Sequence, residues 1–354
     1  MPSAYINRIG TAVPDYDVHQ KFVDYAPRLL SDPKSRRLFQ RMAERAQIEH
    51  RYSCLEPDPA PERLDRRDFY RRGEFPDTQA RMQFYEAHAF ELASEALHDL
   101  NFEHDKDRIT HLIVVSCTGF YAPGLDLQII ERFGLRAGVE RTAVGFMGCY
   151  AAINALKLAR HIVRAEPQAR VMVLNLELCT IHLQEVDNLE QVLSFLIFAD
   201  GCSASLVTAE PQGIELTGFR AVVAPATGDQ ITWRIGQLGF DMFLSGRVPR
   251  TIANELPGSI DAILGQRRPN DIDLWAVHPG GRSVLDAVED ALRLREGDLS
   301  DSREVLRRYG NMSSATIIFV LKRILQDARG AELGCAMAFG PGLTTESMQF
   351  RMAS

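Results

Sequence analysis

An α/β architecture around a sheet covered on both faces follows from three features of the 354-residue chain. Short continuous apolar runs, HLIVVSCTG (111–119), ARVMVLNLE (169–177) and CSASLVTAE (202–210), read as strands buried on both sides. Segments with apolar residues at helical spacing lie between them, as in AAINALKLARHIV (151–163). The rhythm then recurs. DLWAVHPGG (273–281), SVLDAVEDALRL (283–294), ATIIFVLKRIL (315–325) and CAMAFGPG (335–342) read as strand, helix, helix and strand into turn. The halves are one βα unit used twice or two unrelated units, and the rhythm alone leaves both open.

The other elements follow in chain order. Residues 5–13 suit a first strand, and 20–52 read as helix, with Phe22, Leu29, Leu30, Phe39, Met42 and Ile48 as apolar positions. The Pro- and Arg-rich stretch 55–80 looks like a surface excursion, 81–100 has helical periodicity, and 214–224 suits a strand. No low-complexity linker separates the halves, so they should pack tightly. The expected division is 1–212, carrying a nucleophile, and 213–354, carrying its partners.

Composition narrows the function. Hydrophobic residues at 45% and charged residues at 25% exclude disordered, collagen-like and disulfide-scaffold proteins. A net charge of −7 argues against a general nucleic-acid binder. Five lysines leave 35 arginines among the 40 basic residues, which fits codon bias or, for some of them, phosphate and carboxylate recognition. No run approaches the roughly 18 apolar residues of a membrane span. The N-terminus lacks a basic region followed by an apolar run, so the expected location is cytoplasmic, with reduced thiols. The six cysteines show neither CxxC pairs nor zinc spacing, so no metal site is expected.

Three glycine-bounded turns carry residues suited to acyl transfer. In GFMGCYAAINAL (145–156), Cys149 follows Gly148 and opens a predicted helix. Unpaired backbone N–H groups and the macrodipole at a helix start favour thiolate, so a lowered pKa is expected. In WAVHPGG, His278 sits where a strand ends, the place where catalytic groups of α/β folds collect. It could accept a proton from Cys149 or stabilise its thiolate. In RYGNMSSATI, Asn311 is an oxyanion donor or a plain helix cap. Taken singly, each has a bland reading: a buried thiol, a turn histidine, a cap. Their order also occurs in papain-like proteases, but the flanking sequences do not match.

Together with FADGCSASLV (198–207) and FGPGLTTES (339–347), these motifs resemble, in register, the type III polyketide synthases, the chalcone synthase-like enzymes. The resemblance implies a thiolase-like fold: duplicated βαβαβ halves forming a layered α-β-α-β-α sandwich, assembled as a homodimer. It also implies a reaction. Cys149 accepts an acyl group from a CoA thioester, and His278 and Asn311 stabilise the enolate left when malonyl-CoA loses CO2. Repeated condensation and ring closure then give a pyrone or phenolic product, without a metal or bound organic cofactor. Phe198 matches a phenylalanine that shields the site, and Gly340 and Pro341 match a loop shaping the cavity floor. Arg51 lies near where the family holds CoA phosphates.

Departures from the plant pattern concern substrate. A second gatekeeping phenylalanine is Met242 here. Positions that are threonine in the plant enzymes are Cys117, Cys179 and His182. Trp233 replaces a small pocket residue, and Ala122 replaces a methionine that reaches the partner's cavity. These changes point away from an aromatic starter, toward an aliphatic acyl-CoA and a product of the alkylpyrone or alkylresorcinol type. The alternatives are a single-step ketoacyl-ACP synthase III-like enzyme and a non-catalytic thiolase-fold binding subunit.

Overall fold

The structure, a computed structural model, describes residues 2–327 and 330–353. Strand β1 (Tyr5–Ala12) is followed by a short pair, β2 (Tyr16–Asp17) and β3 (Tyr52–Ser53), which brackets helices α1 (His19–Tyr25) and α2 (Pro33–Arg45). Helix α3 (Thr78–Asp99) leads to β4 (His111–Ser116), α4 (Leu125–Phe133), β5 (Glu140–Gly145) and α5 (Ala151–Ala165). Then come β6 (Val171–Leu178), α6 (Leu189–Ile197) and β7 (Asp200–Thr208). The second half runs through β8 (Ile214–Val223), a hairpin of β9 (Ile231–Gly236) and β10 (Gly239–Leu244), α7 (Val248–Leu264) and β11 (Leu274–Val277). It closes with α8 (Arg282–Leu292), α9 (Ser300–Tyr309), α10 (Thr316–Asp327), β12 (Leu333–Gly340) and β13 (Thr344–Met352).

Nine strands form a sheet ordered β11-β12-β13-β8-β1-β7-β6-β4-β5. Its centre is a seam: β1 meets β8 through two residue pairs only, Tyr5 with Glu215 and Ile6 with Ile214. Outward from the seam, β1-β7-β6-β4 and β8-β13-β12-β11 repeat one pattern. In each, two antiparallel pairings are followed by a parallel one. The rhythm left open in the sequence is therefore a duplication.

The half-sheets stack in layers. Along β4, β6 and β12 successive side chains alternate between two cores. Ile113, Val115, Val173, Ala336 and Ala338 share one core with the buried helices α5 and α10, while Leu112, Leu174, Cys335 and Met337 belong to the other. Helix α3 joins that outer core on the first half, and α7 and α8 join it on the second. The result is helix, sheet, helix, sheet, helix. Strands β4, β6, β7 and β12 are almost wholly buried, which explains their uninterrupted apolar sequences.

Two expectations need amendment. The expected 55–80 excursion ends at 77, because Thr78–Ala80 already open α3; residues 55–77 form no helix or strand, yet Asp65, Tyr70 and Phe75 within them are buried. The β9–β10 hairpin and β13 were not anticipated.

Candidate active site

The turn between β5 and α5 presents Cys149. Phe146 (φ 57°) and Gly148 (φ 70°) both take left-handed backbone, so the chain reverses sharply before the helix. A Cβ on Gly148 would lie 2.6 Å from Cδ of Pro341, and one on Gly340 would lie 2.5 Å from the Tyr150 ring. The nucleophile turn and the 340–341 turn are thus pressed together, and glycine permits the approach.

His278 follows β11. Its backbone N–H donates to the Met337 carbonyl at 2.7 Å. The ring is buried, and neither ring nitrogen has a protein partner. Buried polar atoms are nearly always paired, so an orphaned imidazole is costly unless something else binds there.

Asn311 is held by the end of α6: its N–H donates to Ile197 at 2.8 Å, and its carbonyl accepts from Ala199 at 2.9 Å. Its side-chain oxygen accepts from the Ser313 N–H at 2.9 Å, which leaves the amide N–H groups free to donate. The oxygen closes a local turn, the N-cap position of the next helical turn is Met312, and the nitrogen end of the amide remains a donor.

Cys149, His278 and Asn311 line one cavity, with about 710 Å³ of empty space. Phe198, Met242, Cys117, Cys179, Trp233, Gly340 and Pro341 line it too. Met242 and Trp233 are cross-strand partners in β9–β10, and the Trp233 indole donates to the Cys117 carbonyl at 2.6 Å.

Two residues named from sequence lie elsewhere. His182 is fully buried outside the cavity lining, bonded to the Thr118 carbonyl at 2.7 Å and to the Phe240 N–H at 3.1 Å, and stacked on the Phe240 ring. It supports the wall that Trp233 forms, meeting the indole edge-on. Arg51 is not a surface cation. It is 2% exposed and donates to the carbonyls of Phe195 and Phe198. In this position it holds the end of α6 and does not reach solvent-borne phosphate.

The charged mouth was missed. A second, more open cavity shares Leu244, Val248, Gly280 and Val284 with the first and is edged by Arg45, Arg250 and Arg282 together with Glu190 and Asp286, the last paired with Arg282 at 3.3 Å. The arginine excess was the available signal, but only the fold selects these three. Also missed was Glu177, buried behind the site. Its carboxylate accepts from the Cys117 N–H at 3.0 Å, Thr118 Oγ1 at 2.8 Å and Ser314 Oγ at 2.5 Å, tying β4 to the Asn311 loop.

Burial decides the electrostatics. It pushes the Cys149 thiol up to about 12, outweighing side-chain hydrogen bonds from Ser313 and Asn311. The helix start therefore does not by itself depress this thiol, contrary to expectation. Burial also lowers His278 to about 3. Each penalty falls on the charged form taken alone; a thiolate and an imidazolium formed together in this cavity would offset one another. Burial raises the Cys117 thiol as well.

Known proteins resemble this chain over nearly its whole length. Residues 2–211 fit the N-terminal domain of the chalcone and stilbene synthases, and 216–353 fit their C-terminal domain. The α-pyrone synthesis polyketide synthase-like Pks18 of Mycobacterium tuberculosis is 33% identical, over 98% of this chain and 91% of that protein. The structure of PKS-I from the brown alga Ectocarpus siliculosus is 30% identical with a TM-score of 0.86, covering 99% of each chain. The type III domain of Dictyostelium Steely1 shares the fold with a TM-score of 0.90 at 24% identity, covering 99% of this chain and 100% of that one.

Proposed function

The chain belongs to the chalcone and stilbene synthase family of type III polyketide synthases, and on that premise we propose how its residues divide the work. Cys149 attacks the carbonyl carbon of an acyl-CoA. His278 takes the thiol proton and returns it to the departing CoA sulfur. The acyl group is then a thioester on Cys149. When malonyl-CoA enters, its carbon–carboxylate bond breaks. The electron pair moves into the thioester carbonyl, and CO2 leaves. His278 and the Asn311 amide donate to the developing enolate oxygen. The enolate carbon attacks the acyl carbonyl, a carbon–carbon bond forms, and the Cys149 thiolate departs. The extended chain returns to Cys149 for another round, and ring closure releases the product.

The orphaned His278 ring facing the same cavity as the Asn311 amide and Cys149 carries this reading. Phe198 lines that cavity and disfavours a carboxylate relative to neutral CO2. Arg45, Arg250 and Arg282 at the mouth suit the CoA phosphates. The thioester activates the acyl group and loss of CO2 drives condensation, so the scheme calls for no metal or organic cofactor. The site is divided between the halves 1–212 and 213–354.

The starter is an aliphatic acyl-CoA and the product an α-pyrone or resorcinol. The cavity is apolar, and Trp233 and Met242 narrow it. Behind Phe195 and Phe198 lies a second, mainly apolar pocket that is partly open to solvent. Pks18 has α-pyrone synthesis in its name. The protein acts as a homodimer in the cytosol, where CoA thioesters are made. Strand β5 is a sheet edge with its residues almost all exposed, and Phe120 and Met147 nearby are 42% and 36% exposed, as an uncovered interface would be. No helix among the described residues is long and apolar enough to cross a membrane.

Mass spectrometry of products tests the scheme. Wild type with malonyl-CoA and a series of acyl-CoA starters should give products two or more ketide units longer than the starter. Cys149→Ala should give none. A single added unit would identify a one-step condensing enzyme instead.

A further inference from the structure

Helix α2 carries a stripe of charge of which the proposed reaction uses only the last member, Arg45. Lys34, Arg37, Arg41 and Arg45 recur at spacings of three and four, so they share one helical face. That face is turned away from Phe39 and Ala43, which bury the helix, and all four residues are exposed. Among the described residues none of the four forms an ion pair, although the chain as a whole has a net charge of −7. Beside them Leu38 and Met42 are 40% and 44% exposed. The stripe ends at the tunnel mouth, where Met42 and Arg45 face Arg250 and Arg282.

Its dimensions argue against CoA as the sole occupant. At 1.5 Å per residue, Lys34 stands about 16 Å along the helix from Arg45. A nucleotide at the mouth satisfies Arg45 and its neighbours, leaves Lys34 and Arg37 uncovered, and has no use for two exposed apolar side chains. An acidic protein uses both. The arm that must pass the mouth to Cys149 is pantetheine, and a carrier protein presents the same arm as CoA.

We propose that the outer face of α2 docks an acidic acyl carrier protein, which delivers the starter acyl group to Cys149 on its phosphopantetheine arm. This rests on the acyl transfer to Cys149 proposed above. The transfer is the same thioester exchange: the Cys149–acyl bond forms, and the bond to the pantetheine sulfur breaks and takes the proton.

The test loads Cys149 from two donors and follows the acyl-enzyme by intact-protein mass spectrometry. The donors are decanoyl-CoA and the decanoyl form of a holo acyl carrier protein from a dissociated fatty-acid synthase. Wild type should load from both. The double variant Lys34→Glu, Arg37→Glu should load about tenfold more slowly from the carrier protein, with the CoA rate within about twofold of wild type. About 0.5 M salt should abolish the difference. Three results would overturn the proposal: no loading from the carrier while CoA loads, equal slowing with both donors, or no effect of the variant. Loading from neither donor would instead refute the acyl-transfer reading beneath it.

Discussion

The Arg51 guanidinium donates to the Phe198 carbonyl at 2.5 Å and to the Phe195 carbonyl at 3.1 Å, from a fully interior position. One cation therefore fixes two of the aromatic walls of the cavity by their backbone. Lysine has the charge but not the planar fork. Arg51→Lys should lose roughly 1–3 kcal/mol of stability, because a buried carbonyl is left unpaired. Thermal unfolding should show a lower Tm, and kcat should fall more than the KM for CoA substrates rises. An unchanged Tm would remove the clamp from the account.

Cys149 and His278 should titrate as a pair. With His278 in place, iodoacetamide should label Cys149 near neutral pH faster than the other thiols. In His278→Ala no base remains to take the thiol proton, and burial, which raises the thiol, is opposed only by the hydrogen bonds from Ser313 and Asn311. Loss of the base raises the pKa, so the labelling curve should move several units to alkaline pH, and the rate at pH 7 should fall by about tenfold or more. Superimposable curves for the two proteins would show that the helix start alone activates the thiol.

Phe195 and Phe198 line both apolar chambers. Phe195→Ala should join them and shift starter preference, read as kcat/KM, toward chains at least two carbons longer. The change should be about 1–3 kcal/mol in relative preference, the usual discrimination at a hydrophobic pocket. Competition between acyl-CoA chain lengths measures it directly. An unaltered ranking would show that the chambers remain separate.

Gly310 has φ 67°, and a Cβ there would stand 2.8 Å from both the Ile197 carbonyl oxygen and Arg51 Cγ. With ψ −155°, Gly310 lies in a backbone region that only glycine adopts readily, so Gly310→Ala costs about 1–3 kcal/mol in strain and adds a clash with main chain that cannot move aside cheaply. The next residue is Asn311. Decarboxylation of malonyl-CoA should therefore suffer more than acylation of Cys149, and comparing the two half-reactions separates displacement of Asn311 from general unfolding. Equal losses would indicate unfolding alone.

Much of this was readable because it rests on local patterns. Strands buried on both faces read as apolar runs, and Cys149, His278 and Asn311 each sit at a glycine-marked turn. The β9–β10 hairpin was less visible. Trp233 and Met242 read as isolated departures from a family pattern, whereas their pairing across two strands makes them one wall. Arg51 and His182 were misplaced for a related reason. A polar side chain in a motif reads as ligand-facing, and only tertiary structure shows that its partners are backbone groups. Arg45, Arg250 and Arg282 come from three separate helices and converge only in space.

The seam between β1 and β8 has a consequence for how such a chain tolerates change. With two residue pairs bridging the half-sheets, their alignment depends on what fills the layer between them. That layer is α5 and α10, the helix that opens beside Cys149 and the helix that follows the Asn311 loop. The same side chains thus serve as mortar and as mounting for the chemistry. A drifted methyl group at Leu156 or Ile318 would reach the thiol and the amide before it reached the fold as a whole. Inherited variation in this middle layer should therefore register first as altered product, while the protein still accumulates normally in the cell.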